Sequence, residues 1–219
     1  MSIDAMLGVD PHAGQPVLTH GPTPADARCA VILLHGRGDS AAGILSLTDE
    51  FDVPDVAWLA PQAAGHAWYP VSFLAPLERN EPALSSALGV IRGLVRDLEG
   101  QGVAADRIVL CGFSQGACLV SEFAARYPRR YGGVAALSGG LIGPPDTPRT
   151  YAGAFDDMPT LFGCSEADPY IPLARVKESI DVFRRMRAQV DERIYPGSSH
   201  SINSDEIAAI DTLLRSIGR

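Results

Sequence analysis

The sequence predicts an α/β fold of three layers, a mostly parallel sheet between helices, and three observations carry that expectation. Short apolar runs rich in β-branched residues alternate with longer stretches of helical periodicity along nearly the whole chain, the pattern of βα units whose strands are buried on both faces. These runs end in turns marked by glycine or proline. The clearest unit, Arg107 to Arg126, passes from the apolar run Ile108–Cys111 to a helix through Gly112-Phe-Ser-Gln-Gly116. That is the G-x-S-x-G pattern as a tight strand-to-helix turn, which lifts one serine hydroxyl above the end of a sheet.

The elements follow in order. Residues 1–15 hold Gly, Pro and His without periodicity and read as a loose N-terminal arm of one domain spanning 1–219. Pro16–Thr19 is a short edge strand, and Cys29–Leu34 a central one ending in His35-Gly-Arg-Gly-Asp39, after which Ser40 caps a helix with Ile44, Leu45 and Leu47. Val56–Ala60 is the next strand. Residues 62–79 have no period yet hold Trp68, Tyr69, Phe73 and Leu74; so long and aromatic a loop reads as functional, the competing reading being a flap stitched to the core. The longest amphipathic helix covers 82–99, opened by Pro82, capped by Asn80 or Glu81, with Leu84, Leu88, Ile91, Leu94, Val95 and Leu98 as its apolar stripe. Beyond the 107–126 unit come the strand Val134–Leu137, a Pro/Gly-rich connection over 141–158 and the strand Pro159–Cys164. A helix opened by Pro172, the strand Arg193–Tyr195 and a last helix with Asn203 and Glu206 in capping-box positions complete the chain.

At 219 residues and 46% hydrophobic composition the chain has material for a sizeable core. A net charge of −8 argues against nucleic acid or anionic membrane surfaces as partners. No stretch reaches the roughly 20 apolar residues of a membrane span, and the first ten residues lack the positive region of a secretory signal, so a cytoplasmic protein is expected. Cys29, Cys111, Cys118 and Cys164 show no C-x-x-C spacing and read as small buried hydrophobes rather than as metal ligands or disulfides. For Cys118, one turn beyond Ser114, a redox-sensitive thiol competes with that packing role.

Chemistry in such a sheet collects outside the carboxyl ends of the strands. In isolation the G-x-S-x-G pattern also fits a structural turn, and Ser114 needs a base to act as a nucleophile. Of five histidines only His200 follows Ser114, as the order serine, acid, histidine requires. Ten acidic residues lie between them. Asp168 and Glu166 fall just past a strand, and Asp168 is favoured because Pro169 and Pro172 stiffen its turn. The backbone N–H of Gln115, and that of Arg37 in the glycine-rich turn after the first central strand, are the expected oxyanion donors. That turn fits neither phosphate-binding glycine motif.

The segments Leu34-His-Gly-Arg-Gly-Asp39, Ala60-Pro-Gln62, Trp68-Tyr69, Gly112-Phe-Ser-Gln-Gly116, Leu137-Ser-Gly139, Asp168-Pro-Tyr-Ile-Pro172 and Gly197-Ser-Ser-His200 together resemble the phospholipase/carboxylesterase family of α/β-hydrolases, bacterial carboxylesterases and acyl-protein thioesterases among them. The likeness spans the chain from about Val17 onward. It implies a Ser114, Asp168, His200 triad, an oxyanion hole from the Arg37 and Gln115 amides, no cofactor or metal, and hydrolysis of carboxylic esters. Two positions depart from the family pattern: Arg37 stands where thioesterase-like members often have leucine, and Ala117 where glycine is common. The Arg37 side chain either pairs with an acid such as Asp39 or reads a polar or anionic substrate group.

With no large insertion to form a lid, the loops 62–79 and 141–158 and Tyr170 are expected to border a shallow apolar groove, with Trp68, Tyr69, Phe73, Leu74, Leu141 and Tyr170 as its substrate-binding residues. Short- to medium-chain esters fit such a groove. Acyl-protein or acyl-CoA thioesterase, lysophospholipase, lactone hydrolase and a non-catalytic binding module are the competing functions, and a homodimer is compatible with the sequence.

Overall fold

The computed structural model describes residues 10–218. A seven-stranded sheet, in the order β1-β3-β2-β4-β5-β6-β7, forms its middle layer. The strands are β1 (Val17–His20), β2 (Cys29–Leu34), β3 (Val56–Pro61), β4 (Ile108–Phe113), β5 (Gly133–Leu137), β6 (Pro159–Ser165) and β7 (Gln189–Tyr195). Only β1 runs antiparallel to its neighbour; every other pairing is parallel. The helices are α1 (Ala41–Leu45), α2 (Ala83–Gly100), α3 (Gln115–Arg126), α4 (Leu173–Arg185) and α5 (Ser204–Ser216).

Alternation along each strand sorts the core into two slabs. Ala30, Ile32 and Leu34 of β2, with Ile108 and Leu110 of β4, face α2, α3 and α4. Cys29, Val31, Leu33, Val109 and Cys111 face α1 and α5. All four cysteines are buried and free. The edges are β1, exposed along its length, and β7, whose Asp191, Glu192 and Arg193 put charge on that end of the sheet.

Several local expectations are corrected. Residues 10–15 are not loose: His12 is buried, its Nε2–H donates to the Trp68 carbonyl at 2.9 Å and its Nδ1 accepts from Ala64 N–H at 3.1 Å. The rest of the predicted arm, residues 1–9, lies outside the described residues. Ser40 caps α1 through Gly43 N–H, but that helix is one turn long and passes into a 3₁₀ turn at Ser46–Glu50. Asn80 does not cap α2. It is fully buried, accepts from Val71 N–H and donates to the Ser72 carbonyl, so it holds the preceding loop instead. Glu81 supports the first turn of α2 by accepting from the N–H and hydroxyl of Ser85.

The Asn203/Glu206 capping box of α5 is complete. Glu206 is 1% exposed, packed where a Cβ on Gly163 would stand 2.0 Å from its Oε1. Burial pushes its carboxyl up to about 7. Because the folded value lies above the unfolded one, ionising Glu206 weakens the fold progressively between pH 4.5 and about 7. Glu206→Gln keeps the acceptor for Asn203 N–H and removes the charge. Denaturant titration is expected to show the variant more stable than the parent at pH 8, by at most about 3 kcal/mol, with the difference vanishing near pH 4.5; equal stability at both pH values would contradict this account.

Candidate active site

Strand β4 runs into α3 through Ser114, whose backbone sits at φ 55° and ψ −116°, a strained region for a residue with a side chain. Ser114 N–H donates to the Leu137 carbonyl at 2.9 Å, and the Ser114 carbonyl accepts from Cys118 N–H at 3.0 Å. The flanking glycines are sterically required. A Cβ on Gly112 would lie 2.5 Å from the Gly116 carbonyl oxygen, and one on Gly116 would lie 2.2 Å from that of Leu34. The helix therefore starts directly against the ends of β4 and β2, with its partially positive N-terminus beside Ser114.

Asp168 lies in the turn after β6. Its side chain is fully shielded from solvent. Oδ1 accepts from the N–H groups of Tyr170 and Ile171 at 2.9 and 3.0 Å, while Oδ2 lies 2.7 Å from Nδ1 of His200 and 3.9 Å from the Cys164 Sγ. Burial alone would raise this carboxyl, but the hydrogen bonds from His200 and the two amides outweigh it and hold it below its usual value. The other ring nitrogen of His200, Nε2, is 2.9 Å from Ser114 Oγ. An ionised Asp168 accepts the Nδ1–H, which leaves the Nε2 lone pair facing the hydroxyl. Phe113 and Tyr170 hold the imidazole between them, each ring centroid 4.9 Å away. Glu166 is exposed, and its N–H bonds the Tyr195 carbonyl; the imidazole's acidic partner is Asp168.

Ser114 and His200 open onto a cavity of about 490 Å³ that is also lined by Arg37, Tyr69, Ser72, Phe73, Gln115, Cys118, Tyr170 and Ile171. Three of the six residues expected to contact substrate thus line it: Tyr69, Phe73 and Tyr170. Trp68 does not. Its ring is completely buried between His12 and His35, and its Nε1–H donates to the His35 carbonyl at 2.9 Å, so it anchors the loop from beneath. Leu141 is likewise fully buried in the core and Leu74 packs against it. Ser72, Cys118 and Ile171 line the cavity without having been expected there. For Cys118 a signal existed, since four residues after Ser114 it shares that helix face. Burial pushes its thiol up to about 12, which leaves it protonated rather than reactive.

Among the described residues, neither the Arg37 N–H nor the Gln115 N–H has a protein acceptor. The Gln115 side chain is occupied: Oε1 accepts from Trp68 N–H and Nε2 donates to the Tyr69 carbonyl, both at 2.8 Å. The Arg37 guanidinium bonds the carbonyls of Tyr69, Val71 and Pro70 at 2.9, 2.9 and 3.0 Å. It forms no ion pair with Asp39, whose carboxylate is turned against Gly43 of α1. Among the described residues no His, Cys, Asp and Glu side chains gather in threes around a metal-sized space.

The profile of the family described as phospholipase/carboxylesterase matches residues 22–217. The chain belongs to that family. Acyl-protein thioesterase 1 of Schizosaccharomyces pombe is 27% identical over 195 residues, covering 82% of this chain and 87% of the relative. A phospholipase/carboxylesterase from Dyadobacter fermentans, solved as a crystal structure, is 40% identical, with a TM-score of 0.88 over 93% of this chain and 97% of the other. Arabidopsis thaliana SOBER1, at 21% identity and a TM-score of 0.73 over 86% of this chain and 98% of its own, shares the α/β-hydrolase fold. Relatives in this family are named as carboxylesterases and acyl-protein thioesterases, and no helix among the described residues of the chain is long and apolar enough to cross a membrane.

The close contacts of Gly116 are open to a test. Gly116→Ala would drive a methyl into the Leu34 carbonyl and is expected to lower stability by about 3 kcal/mol or more, whereas Gly93→Ala on α2, where a Cβ meets nothing within 4 Å, should be neutral or stabilising by about 1 kcal/mol. Equal thermal melts for the two variants would remove steric closeness as the reason for the glycine.

Proposed function

We propose that the chain is a serine carboxylesterase that hydrolyses short- to medium-chain carboxylic esters through an acyl-enzyme. The observation that carries this reading is the hydrogen-bonded row Asp168, His200, Ser114, at 2.7 and 2.9 Å, opening on a cavity with apolar walls. In this mechanism His200 Nε2 takes the Ser114 proton as Oγ attacks the ester carbonyl. Asp168 steadies the imidazolium. The Arg37 and Gln115 N–H groups receive the oxyanion. His200 then returns the proton to the departing alkoxide, and a water activated by the same imidazole releases the carboxylic acid and restores Ser114.

Tyr69, Phe73 and Ile171 supply the apolar wall for the acyl or alkyl portion. Thioester hydrolysis is the second reading, favoured by the likeness to acyl-protein thioesterase 1, and the same nucleophile and oxyanion donors would serve it. Four buried free thiols suit a reducing compartment, and we place the enzyme's action in the cytoplasm.

A fluorophosphonate probe should label the parent and leave Ser114→Ala unlabelled; labelling of both would remove Ser114 as nucleophile. Asp168→Asn should lower kcat by about 10⁴-fold, on the scale known for triad acids, while Glu166→Gln should stay within a few-fold of the parent. The reverse ranking would transfer the role to Glu166. Across p-nitrophenyl esters of increasing acyl length, kcat/KM is expected to peak at short or medium chains, and a steady rise to the longest chain would contradict the proposed groove.

A further inference from the structure

We infer that the Arg37 side chain makes the cavity selective for esters that carry a second, anionic group, such as monoesters of dicarboxylic acids; this rests on the esterase reading above. Arg37 is exposed, lines the same cavity as Ser114 and His200, and is the one permanently charged side chain among its lining residues. Its position is fixed by three backbone carbonyls, two on Nη2 and one on Nη1, and its Cζ stands 5.9 Å from the Tyr69 ring centroid. Carbonyl dipoles orient a guanidinium without cancelling its charge. Among the described residues no carboxylate comes within ion-pairing distance of Arg37.

Of the five N–H donors of a guanidinium, the three carbonyl bonds leave Nε–H and the second Nη1–H without a protein acceptor among the described residues. The side chain is already immobilised, so an anion bound there would not have to order it. The molecule carries a net charge of −8, and its overall field repels anions. A fixed, unpaired cation at the cavity is the local feature that would reverse this for a substrate within reach. The role is one of specificity, separate from that of the Arg37 backbone N–H.

The test pairs ethyl hydrogen glutarate with its carboxamide analogue, which has the same shape without the charge. The parent is expected to favour the carboxylate by about two- to fivefold in kcat/KM at low ionic strength, the range a solvent-accessible charge pair supports, and added salt should shrink the preference. Arg37→Gln should abolish the preference, and Arg37→Lys should retain part of it. Because Arg37 also holds the 69–71 segment, both variants are expected to lose rate on both esters; the ratio is the readout. A ratio in Arg37→Gln equal to the parent's, or no preference in the parent, overturns the inference. The same pair titrated by ligand-observed NMR into Ser114→Ala and Ser114→Ala/Arg37→Gln reads the charge effect without turnover. If the parent cleaves neither ester the esterase reading fails, while tighter binding of the carboxylate only where Arg37 is present still supports the inference and equal binding still overturns it.

Discussion

The site depends on one steric constraint: α3 begins so close to the ends of β4 and β2 that there is no room for side chains at two positions. Gly112 meets the Gly116 carbonyl and Gly116 meets that of Leu34. Gly139, beyond β5, is pressed against Ala117 and Cys118 on the same helix. This contact leaves Ser114 as the corner residue at φ 55°, and it brings the turn after β2 alongside the first amide of α3. Neighbouring parallel strands deliver the remaining groups to the same edge, with Leu34 level with Gly112, Phe113 with Leu137, and Leu137 with Gly163.

A second layer of contacts shapes the cavity wall. His35 is buried, which lowers its proton affinity and keeps the ring neutral; Nδ1–H then donates to the Gly36 carbonyl and Nε2 accepts from Ala63 N–H. With His12 on its other side, Trp68 is fixed from two directions, and Gln115 ties residues 68 and 69 to α3. Behind Phe73, the Arg175 Nη1 bonds the carbonyls of Leu141 and Gly143, and Gly143 N–H reaches the Phe73 carbonyl. Residues 141–143, which do not line the cavity themselves, are therefore tied to the loop that carries Phe73. Among the described residues no buried side-chain nitrogen or oxygen is left without a partner, which is the condition under which a polar layer rigidifies a site.

What the sequence made legible follows from the range of the forces involved. The central strands, the tight turn at Ser114 and the α5 capping box are encoded within a few residues, by apolar runs, glycines and the Asn203/Glu206 spacing. Ser114, Asp168 and His200, far apart in the chain, meet because a parallel sheet places all their turns at one edge. The cavity lining was read only in part. Trp68 and Tyr69 are adjacent and both aromatic, yet Trp68 faces the core and Tyr69 the cavity, a division set by His12 and His35, 56 and 33 residues away. The same distance effect hid the partners of Arg37, which are carbonyls 32 to 34 residues on, while Asn80 departs from the expected cap because its partners are backbone groups of Val71 and Ser72 rather than the start of α2. A backbone acceptor has no residue identity for a sequence to display.

The polarity of the row Asp168, His200, Ser114 has its origin in backbone as well. A carboxylate shielded from water would ordinarily take up a proton more readily, and a protonated Asp168 could offer the imidazole a donor instead of an acceptor. The hydrogen bond from His200 opposes this, and the amides of Tyr170 and Ile171 add to it by donating to Oδ1, leaving Oδ2 free for the Nδ1–H. Those amides converge because the turn is bracketed by Pro169 and Pro172, each with a restricted φ. Glu166 has no such pair of donors: it lies in the open strand-end turn, where its own N–H serves the Tyr195 carbonyl. The choice between two acids two residues apart is thus one of position: Asp168 is turned inward onto two amides and the imidazole while Glu166 is exposed, and an ionised Asp168 fixes the tautomer whose Nε2 lone pair faces Ser114 Oγ.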